Sequence, residues 1–175
     1  DWCDTLHFER RADGLISRED LSMALPEVDL SVRAARALQA ATGCREGAHI
    51  SIMKRVPAQA GMGGGSSDAA STLLALNRLW GLNLPRHALV KIGLQLGADV
   101  PFFLCGHNAW VEGIGETITP LEKAHQLPQA SFVIVKPAAG LETKEIFSSP
   151  SLKRDSDSAT ILGFAAAHFA FGRNE

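Results

Sequence analysis

The sequence predicts a mixed α+β fold, and three observations carry that prediction. Alternating apolar positions mark short strands. Apolar positions spaced by three and four residues mark helices between Asp29 and Gly97. The two kinds of segment are interleaved without the strand–helix–strand rhythm of a doubly wound sheet. A chain of 175 residues has room for one domain and part of a second.

Taken in order, Thr5-Leu6-His7-Phe8-Glu9 alternates and Asp13-Gly14 supplies turn chemistry, so residues 1–25 read as a β-hairpin or meander. A helix follows, with Asp29 placed to cap it, Leu30, Ala34, Ala37, Leu38 and Ala41 on one face, and Gly43 to end it. Ala48, Ile50 and Ile52 alternate with His49, Ser51 and Met53 in a half-buried strand, which stops at Pro57 because proline has no amide proton for a ladder. Ala69, Ala70, Leu73, Leu74, Leu76 and Trp80 repeat at helical spacing, with Gly81 as a C-terminal cap. Pro85 suits the first position of another helix running through Leu89, Ile92 and Leu96 to Gly97. Ala109-Trp110-Val111 and Gly113-Ile114-Gly115-Glu116 read as strand and turn, Phe132-Val133-Ile134-Val135 as a strand closed by Pro137, and residues 148–158 as polar loop. The candidate boundary lies near residues 126–129, dividing 1–128 from 129–175.

Composition narrows the function. Seventeen Lys+Arg against 19 Asp+Glu leave no basic excess, which argues against an electrostatic nucleic-acid binder. Cys3, Cys44 and Cys105 are too scattered for a disulfide framework or a zinc site, and the six histidines show no ligand spacing. No apolar run approaches the roughly 20 residues of a membrane span, and no signal peptide opens the chain. A soluble, cytoplasmic protein is expected, acting on a small molecule without nucleic acid or membrane as partner.

The densest glycine cluster, Gly61-Met62-Gly63-Gly64-Gly65-Ser66-Ser67-Asp68, lies between a predicted strand and a predicted helix. Glycines let backbone N–H groups converge without interference from Cβ. A helix start adds about half a positive charge, so this arrangement suits phosphate. Three familiar alternatives fail on inspection. No lysine follows the glycines as a Walker A loop requires, and neither Ser66 nor Asp68 can be the last glycine of a dinucleotide fingerprint. Asp68 also stands where a nucleophile elbow around Ser66 would need glycine.

The run Pro57-Ala58-Gln59-Ala60-Gly61-Met62-Gly63-Gly64-Gly65-Ser66-Ser67-Asp68-Ala69-Ala70 resembles the second signature of the GHMP small-molecule kinases. Leu96-Gly97-Ala98-Asp99-Val100-Pro101-Phe102-Phe103 and Glu112-Gly113-Ile114-Gly115-Glu116 extend the resemblance, as do residues 1–5, 30–36 and 143–147. It implies the family's N-terminal α+β domain (ribosomal protein S5 domain 2-like, with a left-handed crossover), partial here and followed by the start of a second α+β domain. It also implies ATP and Mg2+ as cofactors. Within the family the likeness points to the branch whose substrate is cytidine diphosphate methylerythritol, a step of non-mevalonate isoprenoid synthesis.

Residue by residue, the resemblance implies that positions 57–68 wrap the ATP phosphates and that Lys54 lies near the nucleotide; on its residues alone Lys54 also reads as a solvated strand-end lysine. Asp99 matches the carboxylate that draws the proton from the attacking hydroxyl, an effect typically worth about 10²–10⁴-fold; spacing alone favours instead the cap of a short helix at Val100, and the Gly-Ala-Asp-Val-Pro context turns the balance to catalysis. Ile114, Thr143 and Phe147 match positions contacting the cytidine diphosphate, with Phe147 either stacking on the base or lying in the core. Phosphoryl transfer needs a cation to neutralise charge, and Ser67, Asp68 or neither holds it. Gln59 and Ala60 depart from the family, which commonly has further glycines there. The family's N-terminal lysine-bearing signature and its third, C-terminal glycine signature are not found in this sequence. The chain is therefore expected to be a central fragment, inactive or nearly so by itself, the alternative being a non-catalytic remnant or interaction module.

Overall fold

The computed structural model describes residues 2–58, 60–121, 131, 133–135 and 148–152. The chain divides into two compact units, Asp1–Leu121 and Glu122–Glu175. The first unit runs β1 (Thr5–Arg11), β2 (Ile16–Asp20), α1 (Leu30–Thr42), β3 (Gly47–Met53), α2 (Gly64–Leu79), α3 (Arg86–Leu96), α4 (Val100–Cys105), β4 (Ala109–Glu112) and β5 (Thr117–Pro120). It is the α+β arrangement expected.

The expected hairpin does not form. β3 lies between β1 and β2, antiparallel to the first and parallel to the second. The Asp13-Gly14 turn is present, with Gly14 at φ 76° and Leu15 N–H donating to Asp13 Oδ1 at 3.1 Å. The strands it joins then part to admit β3, because the apolar alternation of Ala48, Ile50 and Ile52 is best buried from both sides, and these residues are 0–1% exposed. Gly47 permits the insertion, since a Cβ there would lie 2.2 Å from the Leu15 carbonyl oxygen. The parallel β2–β3 pair requires a crossover, which α1 provides as a single βαβ unit.

Helix α1 follows its sequence signals. Asp29 accepts from Val32 N–H at 3.0 Å, and Gly43 ends the helix at φ 66°. Leu38, Ile50, Leu73, Leu76, Leu89 and Leu104 are all at most 1% exposed, and each such side chain contributes about 1.5–3 kcal/mol on burial. Trp80, expected in the core, is 8% exposed; its indole N–H donates to the Gly47 carbonyl at 3.0 Å and locks α2 to the start of β3. Pro85 is the cap of α3, one place ahead of its expected first helical position.

Helices α3 and α4 meet over Gly93, where a Cβ would lie 2.9 Å from both Val100 Cγ1 and Leu104 Cδ1. The last carbonyls of α4 have no helical partner, and Arg86 donates to those of Leu104 and Cys105. The second sheet is an antiparallel ribbon of β4 and β5. In the second unit the expected strand over Ser131, Val133, Ile134 and Val135 is not formed: these residues pair with no strand among those described, and the three apolar side chains are exposed. Among the described residues no helix is long and apolar enough to cross a membrane.

Candidate active site

The glycine cluster becomes a helix start. Gly61 and Gly63 both lie at φ 69°, in the left-handed region that favours glycine, and α2 begins at the next residue, Gly64. No side chain caps this helix. Ser67 N–H donates to the Gly63 carbonyl at 2.9 Å as the first helical bond, so at position 67 it is the hydroxyl, and not the amide, that is open to a ligand. The amides of Gly64, Gly65 and Ser66 precede that bond and have no acceptor among the described residues. The hydroxyls of Ser66 and Ser67 are likewise without a partner among them. Glycines are poor helix formers, which is why the periodic signal starts only at Ala69 although the helix begins five residues earlier.

Gly61, Met62 and Gly63 share a cleft of about 320 Å3 with Asp99, Phe103 and Val111. Asp99 directly precedes α4 and is exposed, yet its carboxylate makes no capping hydrogen bond. Asp99 thus takes the cap position that spacing suggests, but its side chain does not cap the helix. Phe103 packs on the loop so closely that a Cβ on Gly63 would lie 2.8 Å from its Cζ. The turn between β4 and β5 leans on the same region. Gly115, at φ 101°, is so near the Ala98 carbonyl that a Cβ would come within 2.2 Å of its oxygen. Ile114, beside it, is 71% exposed.

Lys54 is not a solvated lysine. Its side chain is 5% exposed and its ammonium pairs with Asp4 and, at 2.7 Å, with Asp68, whose side chains are 4% and 6% exposed. Asp4 also accepts the N–H groups of Arg55 at 2.6 Å and Val56 at 2.9 Å. Burial opposes the charge on Asp4, but the Lys54 hydrogen bond and these two backbone donors outweigh it and hold the carboxyl below its usual range. Burial likewise opposes the charge on Lys54, and its two carboxylate partners outweigh it, raising the ammonium's pKa. For Asp68 burial prevails and pushes the carboxyl up, with Lys54 offsetting only part. Asp68 is thus committed to an ion pair and is a poor cation ligand, whereas the hydroxyl of Ser67 is uncommitted among the described residues.

Pro57 and Ala58 follow the entrance and Ala60 leads into Gly61; Gln59, Thr143 and Phe147 lie outside the described residues. Asp4, Phe103 and Val111 escaped the sequence reading as site residues. Asp4 meets Lys54 across 50 positions, a separation no local pattern reports. The one available signal was the lysine itself, since a buried ammonium requires acidic partners. No group of His, Cys, Asp and Glu among the described residues could hold a metal ion by itself.

Residues 29–107 match the family described as GHMP kinases N terminal domain. The chain is 73% identical over 174 residues to the 4-diphosphocytidyl-2-C-methyl-D-erythritol kinase of Paracidovorax citrulli, covering 99% of this chain and 61% of that protein. It is 72% identical over 176 residues to the kinase of the same name from Delftia acidovorans, covering 100% and 61%. A crystal structure of 4-(cytidine 5'-diphospho)-2C-methyl-D-erythritol kinase superposes with a TM-score of 0.58 at 40% identity, covering 67% of this chain and 41% of that one. The chain thus spans about 61% of the length of these curated relatives. The uncapped glycine helix start and Asp99 both lie inside the segment, residues 29–107, that matches the GHMP kinase N-terminal domain family.

Proposed function

We propose that this chain is the nucleotide-holding part of an ATP-dependent kinase that phosphorylates the 2-hydroxyl of 4-(cytidine 5'-diphospho)-2-C-methyl-D-erythritol in the cytoplasm. The observation that carries the reading is the cleft shared by Gly61, Gly63 and Asp99, beside a helix start whose amides are unspent. Similarity to relatives named for that kinase supports the choice of substrate.

In this reading the N–H groups of Gly64, Gly65 and Ser66 grip the phosphates of ATP, and residues 57–63 shape the entrance. The donor set suits a triphosphate because it offers hydrogen bonds and the positive end of a helix with no side chain in competition. Each donor aimed at charge that grows during transfer is worth about 3 kcal/mol in rate. A Mg2+ ion, when bound, neutralises phosphate charge, and the Ser66 and Ser67 hydroxyls suit its shell better than the paired Asp68. Asp99 faces the loop across the cleft, where its free carboxylate accepts the proton of the attacking hydroxyl. Ile114, with Thr143 and Phe147, is assigned to the cytidine diphosphate end of the substrate. The proposed ATP-binding unit covers residues 1–128, with 129–175 opening the second domain.

The test is phosphoryl transfer by the whole protein to the cytidyl alcohol, followed by 31P NMR. Asp99→Asn is expected to lower kcat by about 10²–10⁴-fold while changing ATP affinity less than about twofold. Transfer undiminished in Asp99→Asn contradicts the assignment of the base, and absence of ATP binding to the chain contradicts the reading as a whole.

A further inference from the structure

We propose that Asp4 is a positioning residue for the phosphate cradle, acting through a buried Asp4–Lys54–Asp68 clasp that ties the entrance of the glycine loop to its exit. The inference rests on the phosphate-binding reading of that loop.

Lys54 directly follows β3, where the chain enters the loop, and Asp68 lies in the first turns of α2, where it leaves. One ammonium joins the two and reaches Asp4 on the segment before β1. Asp4 does more than balance charge. One of its oxygens takes the ammonium while the other receives the N–H groups of Arg55 and Val56, so it fixes the backbone of the entrance as well as the lysine. The first residue of α2 rests on the same assembly: a Cβ on Gly64 would lie 3.1 Å from Val56 Cγ1 and 3.4 Å from Lys54 Nζ. Because no side chain caps α2, the direction of its free amides depends on how the loop's ends are held. Lys54 therefore governs phosphate binding through the loop's geometry, with its ammonium already committed to two carboxylates.

A lysine that touches the nucleotide directly and a lysine that acts through Asp4 give different double-mutant cycles. ATP affinity is measured by calorimetry for the chain and for Asp4→Asn, Lys54→Met and the double variant, with amide hydrogen exchange read in parallel. The clasp predicts that each single variant weakens ATP binding at least tenfold. It predicts that the double variant is no more than about threefold weaker than the worse single. Exchange at residues 60–66 should quicken at least tenfold in Asp4→Asn, while the amides of α1 and β3 keep their rates. Lys54→Arg, which retains the charge and both acceptors, should recover most of the affinity lost in Lys54→Met. If Asp4→Asn fails to fold, Asp4→Glu, which keeps the charge and displaces the carboxylate, gives the same readings. Effects that multiply in the double variant, or loop exchange unchanged when Asp4 is altered, overturn the clasp. If the unaltered chain binds no ATP the functional reading falls, and the exchange rates alone then decide whether Asp4 orders the loop.

Discussion

Substituting Gly63 by alanine strikes the cradle at the point where the loop, α2 and α4 meet. Two costs are superposed. A residue with a Cβ at φ 69° is disfavoured by about 1–2 kcal/mol relative to glycine. The added methyl would also sit 2.8 and 2.9 Å from Cζ and Cε2 of Phe103, so that the ring must yield by several tenths of an ångström. Overpacking of this kind costs about 1–3 kcal/mol, giving a loss of roughly 2–5 kcal/mol in all. Gly61 separates the two contributions, because it has the same φ of 69° and a Cβ there would meet nothing within 4 Å. Gly61→Ala should therefore lose only about 1–2 kcal/mol. Urea unfolding of both variants, with Phe103→Leu as a third, supplies the assay. Phe103→Leu removes the ring atoms in the clash, so combining it with Gly63→Ala should return about 1 kcal/mol or more as coupling. ATP affinity should fall further in Gly63→Ala than in Gly61→Ala, since only the former pushes the helix start away from α4. Equal stability losses at the two glycines, or the absence of coupling to Phe103, would refute the reasoning.

Three further outcomes are expected. Gly115→Ala combines a φ of 101° with a Cβ 2.2 Å from the Ala98 oxygen, so it should lift the β4–β5 turn away from Asp99, with a loss of about 2–4 kcal/mol in thermal unfolding. Arg18 has a side chain only 9% exposed, pairs with Asp20 and Asp29, and donates to the carbonyls of Leu25 and Pro26. Arg18→Met strands two acids and should cost about 3–5 kcal/mol in urea unfolding. Acid should destabilise the unit. Asp4 is held below its usual range as described, and Asp20, although burial opposes its charge, is held low by Arg18 and the Leu25 N–H. Asp13 is held at about 2, chiefly by its hydrogen bond from Arg11. Each such acid binds its proton more readily in the unfolded chain, so stability is complete above the ordinary carboxylate value of about 4 and falls as pH drops through the folded values. Asp68, whose pKa burial raises, contributes with the opposite sign. Urea midpoints from pH 5 to 2 should show the decline, and Asp4→Asn should make it shallower.

Where a structural signal was local, the sequence carried it. Asp29 and Gly43 bracket α1 because a cap and a left-handed glycine act within a few residues of themselves. The alternation that buries Ala48, Ile50 and Ile52 is a property of one strand, and it was plain before any partner was known. The partners were not plain. The turn at Asp13-Gly14 suggested a hairpin, and nothing nearby announces that β3, from beyond α1, would wedge between its arms. The periodic signal of α2 starts only at Ala69 because the helix's first residues are glycines and serines, whose weak propensity hides a helix imposed by tertiary packing. At the site, the glycine loop declared its chemistry through composition and position. Asp99 is marked only by its Gly-Ala-Asp-Val-Pro surroundings, since spacing alone favours a helix cap. Asp4 was silent, its meaning lying wholly in a contact with Lys54 across 50 positions.

The central claim is that the unspent amides at the head of α2 take hold of a triphosphate opposite Asp99. Titrating 15N-labelled protein with ATP and Mg2+ while following backbone amide resonances tests it most directly. The account predicts that the largest shifts fall on Gly64, Gly65 and Ser66, with smaller ones at Phe103 and Asp99, and that inorganic tripolyphosphate reproduces the first group. Shifts centred instead on the open face of the β1–β3–β2 sheet, with the amides of residues 64–66 unmoved at saturation, would contradict it.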